Sequence, residues 1–328
     1  MIDMKNIKRI TPILLLFVSS FGFAQIVDIP DANFKAALIN LNVDTNEDGE
    51  IQVSEALIAT SLNLSNSNIS DLTGIESFVN LTYLSCGNNQ LTTLDVSELS
   101  ELTDLYCMNN MLTSLNVSGL SNLVFFECYD NNLTVLNVSD LTNLGNLNCD
   151  NNQLLSLDVS GLSNLSTLEC YNNQLVELNI TNCSSLSTIF SSNNNITSLD
   201  FTGVNPEPFA DFNFSNNNIS SIFFPNGFEI PNLSVGNNQI VDLDLSNITS
   251  IGNADFAFNP IETLNIKNGI NDNFFNLSLD YITLQFVCAD EFELEDVVNE
   301  FIDENIIVST YCTFEPGGDY NTITGNLT

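Results

Sequence analysis

Leu81, Leu102, Leu123, Leu144, Leu165 and Leu186 lie 21 residues apart without exception. Each opens the pattern L-x-x-L-x-C-x-x-N-x-L, as in LTYLSCGNNQL from Leu81 to Leu91; in the Leu186 copy Ile189, Ser191 and Ile196 stand in. A divergent copy begins near Leu62, and others follow through Phe212, Leu233 and Ala254, so the array holds about ten rungs. One step, from Ile189 to Phe212, stretches to 23 residues where GVNPEP adds a turn. A fixed period of this length constrains the fold more than composition does, because it makes the chain a stack of one small unit. A lone rung buries too few apolar side chains to offset the backbone entropy lost on ordering it. Stacking, with each rung satisfying the faces and backbone groups of its neighbours, is what makes such an array stable.

Within each rung the alternation around LSC reads as a short strand, with Leu84 and Cys86 pointing inward and Ser85 outward. The other half, TTLDVSELSE, carries Leu94, Val96 and Leu99. Leu94 and Val96 alternate again and the period leaves little room for a helix, so this side is expected to be extended too. Cys86, Cys107, Cys128, Cys149 and Cys170 all fill one inward position, and Cys183 falls where Leu162 sits one repeat earlier. Neighbouring strands lie ~4.8 Å apart with parallel Cβ vectors, whereas a disulfide needs Cβ atoms ~3.8 Å apart and turned toward each other. An inward ladder offers no accessible metal cluster either, so these cysteines are expected to pack as small hydrophobes. Asn89, Asn110, Asn131, Asn152, Asn173, Asn194, Asn217, Asn238 and Asn259 stand where the chain turns off the strand. An amide both donates and accepts, so each can serve the backbone of its own turn and of the next rung; a carboxylate could not donate.

The pattern resembles the leucine-rich repeat consensus L-x-x-L-x-L-x-x-N-x-L over about two-thirds of the chain, with cysteine at one leucine position. The whole is similar to secreted bacterial repeat proteins related to the internalins. That resemblance implies a right-handed, mostly β solenoid, with short parallel strands on the concave face, over residues 60–276. The many N-x-S/T sequons, such as NVS at Asn116, arise from the repeat itself.

Both ends depart from the period. Lys5, Lys8 and Arg9 precede the apolar run PILLLFV, and Gly22 and Ala24 mark a cut before Gln25, so residues 1–24 read as a secretory signal peptide. The apolar run is far short of the ~20 residues a membrane span needs. Residues 25–59 form an expected N-terminal cap: IPDANFKAALINLNV reads as a short helix with Pro30 near its start and Phe34, Leu38 and Leu41 on one face. DTNEDGEIQVSE follows and matches an EF-hand loop, with Asp44, Asn46 and Asp48 at positions 1, 3 and 5, Gly49 at 6, Ile51 at 8 and Glu55 at 12. Calcium needs several hard oxygens around a sharp turn, so one structural Ca2+ is expected here, with Glu50 contributing its carbonyl and Gln52 acting through water.

Residues 277–313 are expected to form a small α/β C-terminal cap. Leu294, Val297, Val298 and Phe301 trace a helical face, Asp290 and Glu293 are spaced like a capping box, and IIVST reads as a strand. Cys288 and Cys312 bracket this unit outside the repeat positions, and a disulfide between them is consistent with export. Residues 314–328 then read as a Pro/Gly linker and the first strand of a further module. The resemblance implies relatives that continue into β-modules and end in a sorting domain for type IX secretion.

Removing the signal leaves Lys35 and Lys267 against 40 acids, a net charge of −38, and the chain has no histidine. Such a surface excludes nucleic acid and anionic membranes, which are bound mainly through Lys and Arg. The missing imidazole excludes His-based triads and metal sites. No nucleophile motif, phosphate loop or metal triad is present, so a non-catalytic, secreted or cell-surface module that binds a protein or glycan is expected. A passive spacer displaying a C-terminal module is the alternative, and a carboxylate glycosidase a weaker one. Outward positions on the concave strands discriminate among these. They are bland at the ends, as at Ser85, Gly87, Ser234 and Gly236. The middle rungs carry Tyr106 and Met108, then Phe125, Glu127, Tyr129 and Asp130, then Asp150, then Glu169 and Tyr171, then Phe190. Exposed aromatics with interleaved acids suit sugar stacking or a basic protein patch, which makes these residues the candidate ligand face.

Overall fold

A computed structural model of the chain describes residues 25–205, 210–269, 277–280, 282–295, 297 and 306–312. Residues 1–24, expected to be a signal peptide, the second half of the GVNPEP insertion, Val298, Phe301 and the residues after Cys312 lie outside that set. Successive L-x-C segments form one parallel sheet of eleven strands, from Ser61–Asn63 to Leu277–Ser278. The register is set by the repeat: Leu84 pairs with Leu105, Leu105 with Phe126, Phe126 with Leu147 and Leu147 with Leu168. Eleven strands exceed the ten expected. The last one, where Leu277 pairs with Ala254, is two residues long and comes after another 23-residue step. It continues the concave sheet into the segment read from sequence as the C-terminal cap.

The opposite side is extended, as its alternation requires. Short parallel pairs run Thr93–Asp95 with Ser114–Asn116, Ser156–Asp158 with Glu177–Asn179, and Ser198–Asp200 with Ser221–Phe223. The core between the two faces is a file of buried leucines, and the five cysteines of the ladder and Cys183 are free and buried within it. Burial pushes the Cys86 and Cys170 thiols up to about 12, and Cys183 to about 11. Farther along, Phe214, Val235 and Phe256 replace cysteine at the same inward position. Beside them Phe201 stacks on Phe212 and Phe224 and meets Phe228 at a tilt, with ring centroids 5.1–5.9 Å apart.

Each ladder asparagine works as its amide chemistry predicts, but toward the preceding rung and not the next. Asn152 Nδ2 donates to its own turn at Cys149 O and Asp150 O, and to Cys128 O one rung back. Its Oδ1 accepts from Leu133 N, also one rung back. The residue before each asparagine is left-handed, as at Asn151 with φ 51°, and marks the turn off the strand.

At the N-terminus, helix Ala32–Asn40 buries Phe34 and Leu38. Leu41 does not join that face: it is the C-cap and 42 % exposed. The chain turns at Asn42 with φ 58°, and Val43 takes the buried place. Asp31 caps the helix through Asn33 N and Phe34 N, and its other oxygen accepts from Ser70 and Asp71, fastening the cap to the first rung. At the C-terminus, Ile307–Ser309 pairs with Phe286–Cys288, and Cys288 is bonded to Cys312. The capping box is half as expected: Glu293 accepts from Asp290 N, but the Asp290 carboxylate accepts from Gly269 N.

Candidate functional site

Because the strands are in register, residues 21 apart line up in rows across the concave sheet. One row runs Tyr106, Glu127, Asn148, Glu169, Phe190 on five consecutive strands. The row on one side is Asp104, Phe125, Asn146, Thr167 and Thr188. On the other side, two residues farther along each strand, lie Met108, Tyr129, Asp150 and Tyr171. All but one of the residues expected at the ligand face therefore share three adjacent rows. The exception, Asp130, lies just off the strand at the left-handed turn position, φ 51°, and is exposed on the rim.

The order within a row has a physical reason. Like charges directly opposite on neighbouring strands are destabilising. Asn148 stands between Glu127 and Glu169 and donates to Glu169 Oε2 at 3.3 Å. Asp150 stands between two tyrosines, is 2 % exposed, and accepts from Asn151 Nδ2 at 2.6 Å and from the Tyr171 hydroxyl. Burial pushes the Asp150 carboxyl up, against the hydrogen bonds from Tyr171 and Asn148. Burial likewise raises Glu127, with Glu169 and Asp150 adding to it, and raises Glu169, with Asp150 adding to it. The Tyr171 hydroxyl is pushed up to about 12 by burial and by its bond to Asp150. Phe125, 43 % exposed, forms one wall of a cleft of about 240 Å³ that Glu127, Asn146, Asn148, Thr167 and Glu169 complete.

Sequence reasoning passed over several of these residues. Tyr83 packs on Tyr106 with ring centroids 5.5 Å apart, although its rung was read as bland. Ser85, expected outward and free, is 5 % exposed, its hydroxyl 2.7 Å from that of Ser65. Gly87 makes room for its neighbour, since a Cβ there would meet Met108 Sδ at 2.8 Å. Asp104, Asn146, Asn148 and Thr167 were also missed; aligning the repeats column by column places them beside the aromatic positions.

The EF-hand-like loop is ordered around its acids. Gly49 at the sixth position has φ +83°, the left-handed turn the motif needs, and Asp44 and Glu55 are buried. Asp44 accepts from Asp48 N and Gly49 N, and Asp48 accepts from Glu50 N. Gln25 and Val27 pair across the loop with Val53 and Ile51. Glu55 Oε1 takes three donors, Thr45 N, Thr45 Oγ1 and Asn46 N, and Oε2 takes Gln52 N. Burial pushes Glu55 up, but these bonds outweigh it and hold the carboxyl below its ordinary range. The residue types and backbone fit calcium, while bidentate ligation by Glu55 requires Oε1 to give up donors. As placed, no three acidic or cysteine side chains among the described residues converge as a metal cluster. Among the same residues, no helix is long and apolar enough to cross a membrane.

A family model described as Leucine Rich repeats (2 copies) matches residues 60–101. No curated protein matches the chain. Among solved structures, the functional domain of InlJ from Listeria monocytogenes, described as including a cysteine ladder, is similar at 27 % identity with a TM-score of 0.59. The match covers 87 % of this chain but 60 % of that one, so the chain spans less than two-thirds of that domain. The leucine-rich repeat domain of APL1B is 17 % identical, with a TM-score of 0.54 over 82 % of this chain and 84 % of that one. The internalin InlF, also from Listeria monocytogenes, is 18 % identical over 90 % of this chain and 100 % of that one, with a TM-score of 0.40. With an in-register parallel sheet, an asparagine at every turn and a core of leucine and cysteine, the chain folds as a leucine-rich repeat solenoid.

Proposed function

We propose that the chain is an extracellular or cell-surface binding and adhesion module that holds a protein or glycan against its concave face and carries out no catalysis. The observation that supports this reading is the collection of aromatic and acidic side chains in three adjacent rows around one cleft. A passive spacer needs no such face. A carboxylate glycosidase needs one acid raised and its partner kept ionised. Here Glu127, Asp150 and Glu169 are all displaced upward.

Export through residues 1–24 belongs to the same reading, as does one structural calcium ion in the loop Asp44–Glu55. The ion would draw on Asp44, Asn46, Asp48, the Glu50 carbonyl, Gln52 through water, and Glu55. A loop fastened to both the helix and the residues after Gln25 is a place where a cation would stiffen the cap.

A glycan array and a panel of purified surface proteins, probed with the intact chain, test the binding face. Replacing Tyr129 and Tyr171 together by alanine is expected to weaken any bound ligand at least tenfold, because two anchors at ~1–2 kcal/mol each amount to that. Unchanged affinity in a variant that melts like the parent moves the site off these rows.

A further inference from the structure

The charge inventory narrows what the concave face accepts. From Gln25 onward the chain has two basic side chains, and both are engaged by other groups of the chain. Lys35 Nζ pairs with Glu50 at 2.6 Å in the N-terminal cap, and Lys267 Nζ, beyond a strand of the convex side, donates to Thr310 O at 2.7 Å. Asp104, Glu127, Asp130, Asp150 and Glu169 therefore gather on four successive rungs with no cation of the chain's own beside them among the described residues. Burial raises the carboxyls of Glu127, Asp150 and Glu169, and like charge adds to it: Glu169 and Asp150 at Glu127, Asp130 at Asp150, and Asp150 at Glu169. A neutral ligand would leave that repulsion in place, and an anionic one would add to it. A cation relieves it, and the relief adds to its affinity.

We infer that this face docks an arginine-rich polypeptide segment, with a guanidinium seated in the cleft against the Phe125 ring and hydrogen-bonded to Glu127 and Glu169. The cleft's walls favour arginine over lysine. A guanidinium is planar and weakly hydrated, so it stacks on an aromatic face while its in-plane N–H groups reach carboxylates at the edge. An ammonium is compact, strongly hydrated and cannot do both. The half-buried carboxylates and the exposed ring of Phe125 supply both kinds of wall in one place. Four rungs at ~4.8 Å span ~14–19 Å, enough for about five residues of extended chain at ~3.3 Å each. The partner contributes further arginines to Asp104 on the flanking row and to Asp130 on the rim, while Asp150, 2 % exposed, adds its charge from beneath the surface.

This inference rests on the concave face being the binding face, and the experiment separates the two. The intact chain is titrated with nona-arginine, nona-lysine and a neutral glycine–serine nonapeptide by fluorescence anisotropy at physiological salt. The parent is expected to bind nona-arginine more tightly than nona-lysine and to ignore the neutral peptide. Glu127→Gln with Glu169→Gln is expected to weaken nona-arginine at least tenfold. A charge-matched pair on the convex side, Asp95→Asn with Asp158→Asn, is expected to change it less than twofold. That control preserves local structure, because Asn116 and Asn179 hold the same turn position and accept the same Ser or Thr N–H. Equal losses in both pairs would reduce the interaction to bulk attraction and overturn the inference, as would equal affinity for the arginine and neutral peptides. Tighter binding of nona-lysine than nona-arginine would overturn the cleft geometry. If a neutral glycan binds and is lost with Tyr129→Ala and Tyr171→Ala while nona-arginine ignores the glutamine pair, the face stands and its arginine partner does not. If neither variant pair affects any bound probe, both readings fall. The glutamine pair is expected to melt no lower than the parent, which separates loss of the face from loss of the fold.

Discussion

Replacing Asn152 by aspartate tests whether the asparagine ladder holds the rungs together through donation. Asn152 is 7 % exposed and makes four hydrogen bonds: three donated, to Cys128 O, Cys149 O and Asp150 O, and one accepted, from Leu133 N at 2.9 Å. Aspartate has the same shape and keeps the acceptor. It replaces the donor with an oxygen facing three carbonyls, so its ionised form is buried against partial negative charge. The carboxyl is then forced above its unfolded value of ~3.9, by as much as ~3 units for a buried, unpaired group. A raised folded pKa means that the stability contribution is fully present below the unfolded pKa and is lost as pH rises through the folded one. Below about pH 4 the protonated variant donates one O–H to a carbonyl, and the deficit against the parent is expected to be only ~1–2 kcal/mol. Above that it grows by ~1.4 kcal/mol per pH unit, reaching ~5 kcal/mol near pH 7. Urea unfolding of parent and variant at matched pH measures the difference, and the other acids cancel in the comparison. Because long repeat arrays open locally, exchange of the Leu133 amide hydrogen is the companion probe at the affected rung. Asn152→Ala removes donor and acceptor together, so its deficit is expected to be independent of pH. A flat deficit for Asn152→Asp between pH 4 and 7 would refute the argument that the donor is what matters.

The remaining predictions follow from the caps, the thiols and the face. Peptide mapping without reduction is expected to find Cys288 joined to Cys312, and Cys288→Ala with Cys312→Ala to cost ~3 kcal/mol, the loop-entropy value for a separation of 24 residues. Cys86 and Cys170, held near 12 by burial, are expected to resist alkylation at pH 8 until denaturant is added; rapid native labelling would contradict their placement. Calcium at about 100 times its dissociation constant should stabilise the chain by ~2.7 kcal/mol, an effect lost in Glu55→Gln. Calorimetry showing no calcium binding, with melting unchanged by chelator, would end that proposal. Glu127→Gln with Glu169→Gln is expected to raise the melting temperature at pH 7 and leave it unchanged near pH 3. Both carboxyls are raised in the fold, so their ionised forms oppose folding only above the unfolded pKa. A lower melting temperature at pH 7 would show that the two acids do not strain the face.

What could be read from the sequence depended on whether a residue's role is fixed inside its own rung or by the rung beside it. Cys107 is core because it follows Leu105 by two, and Asn110 is a turn amide because it follows Cys107 by three; both are local spacings, repeated until chance is excluded. Contacts between rungs leave no such spacing. The packing of Tyr83 on Tyr106, the contact of Ser85 with Ser65 and the room that Gly87 leaves for Met108 each depend on residues 20 or more positions away. The same holds for Asp150. It was legible as outward, and it does face the concave side, yet two flanking tyrosines bring it to 2 % exposure and make it an organiser of the face. Leu41 failed for the opposite reason, since helical periodicity was extended one residue past Asn40, where the helix ends before the turn at Asn42. The eleventh strand failed because two residues carry no period at all. A solenoid therefore shows its scaffold in one repeat and its site only in the comparison of adjacent repeats. Along the row Tyr106, Glu127, Asn148, Glu169, Phe190, the positions before and after stay inward and buried, as Leu, Phe or Ile and as Cys or Ser, while this one changes at every step. The fold needs no such variation there, so the variable row is where a partner's chemistry is expected to be matched.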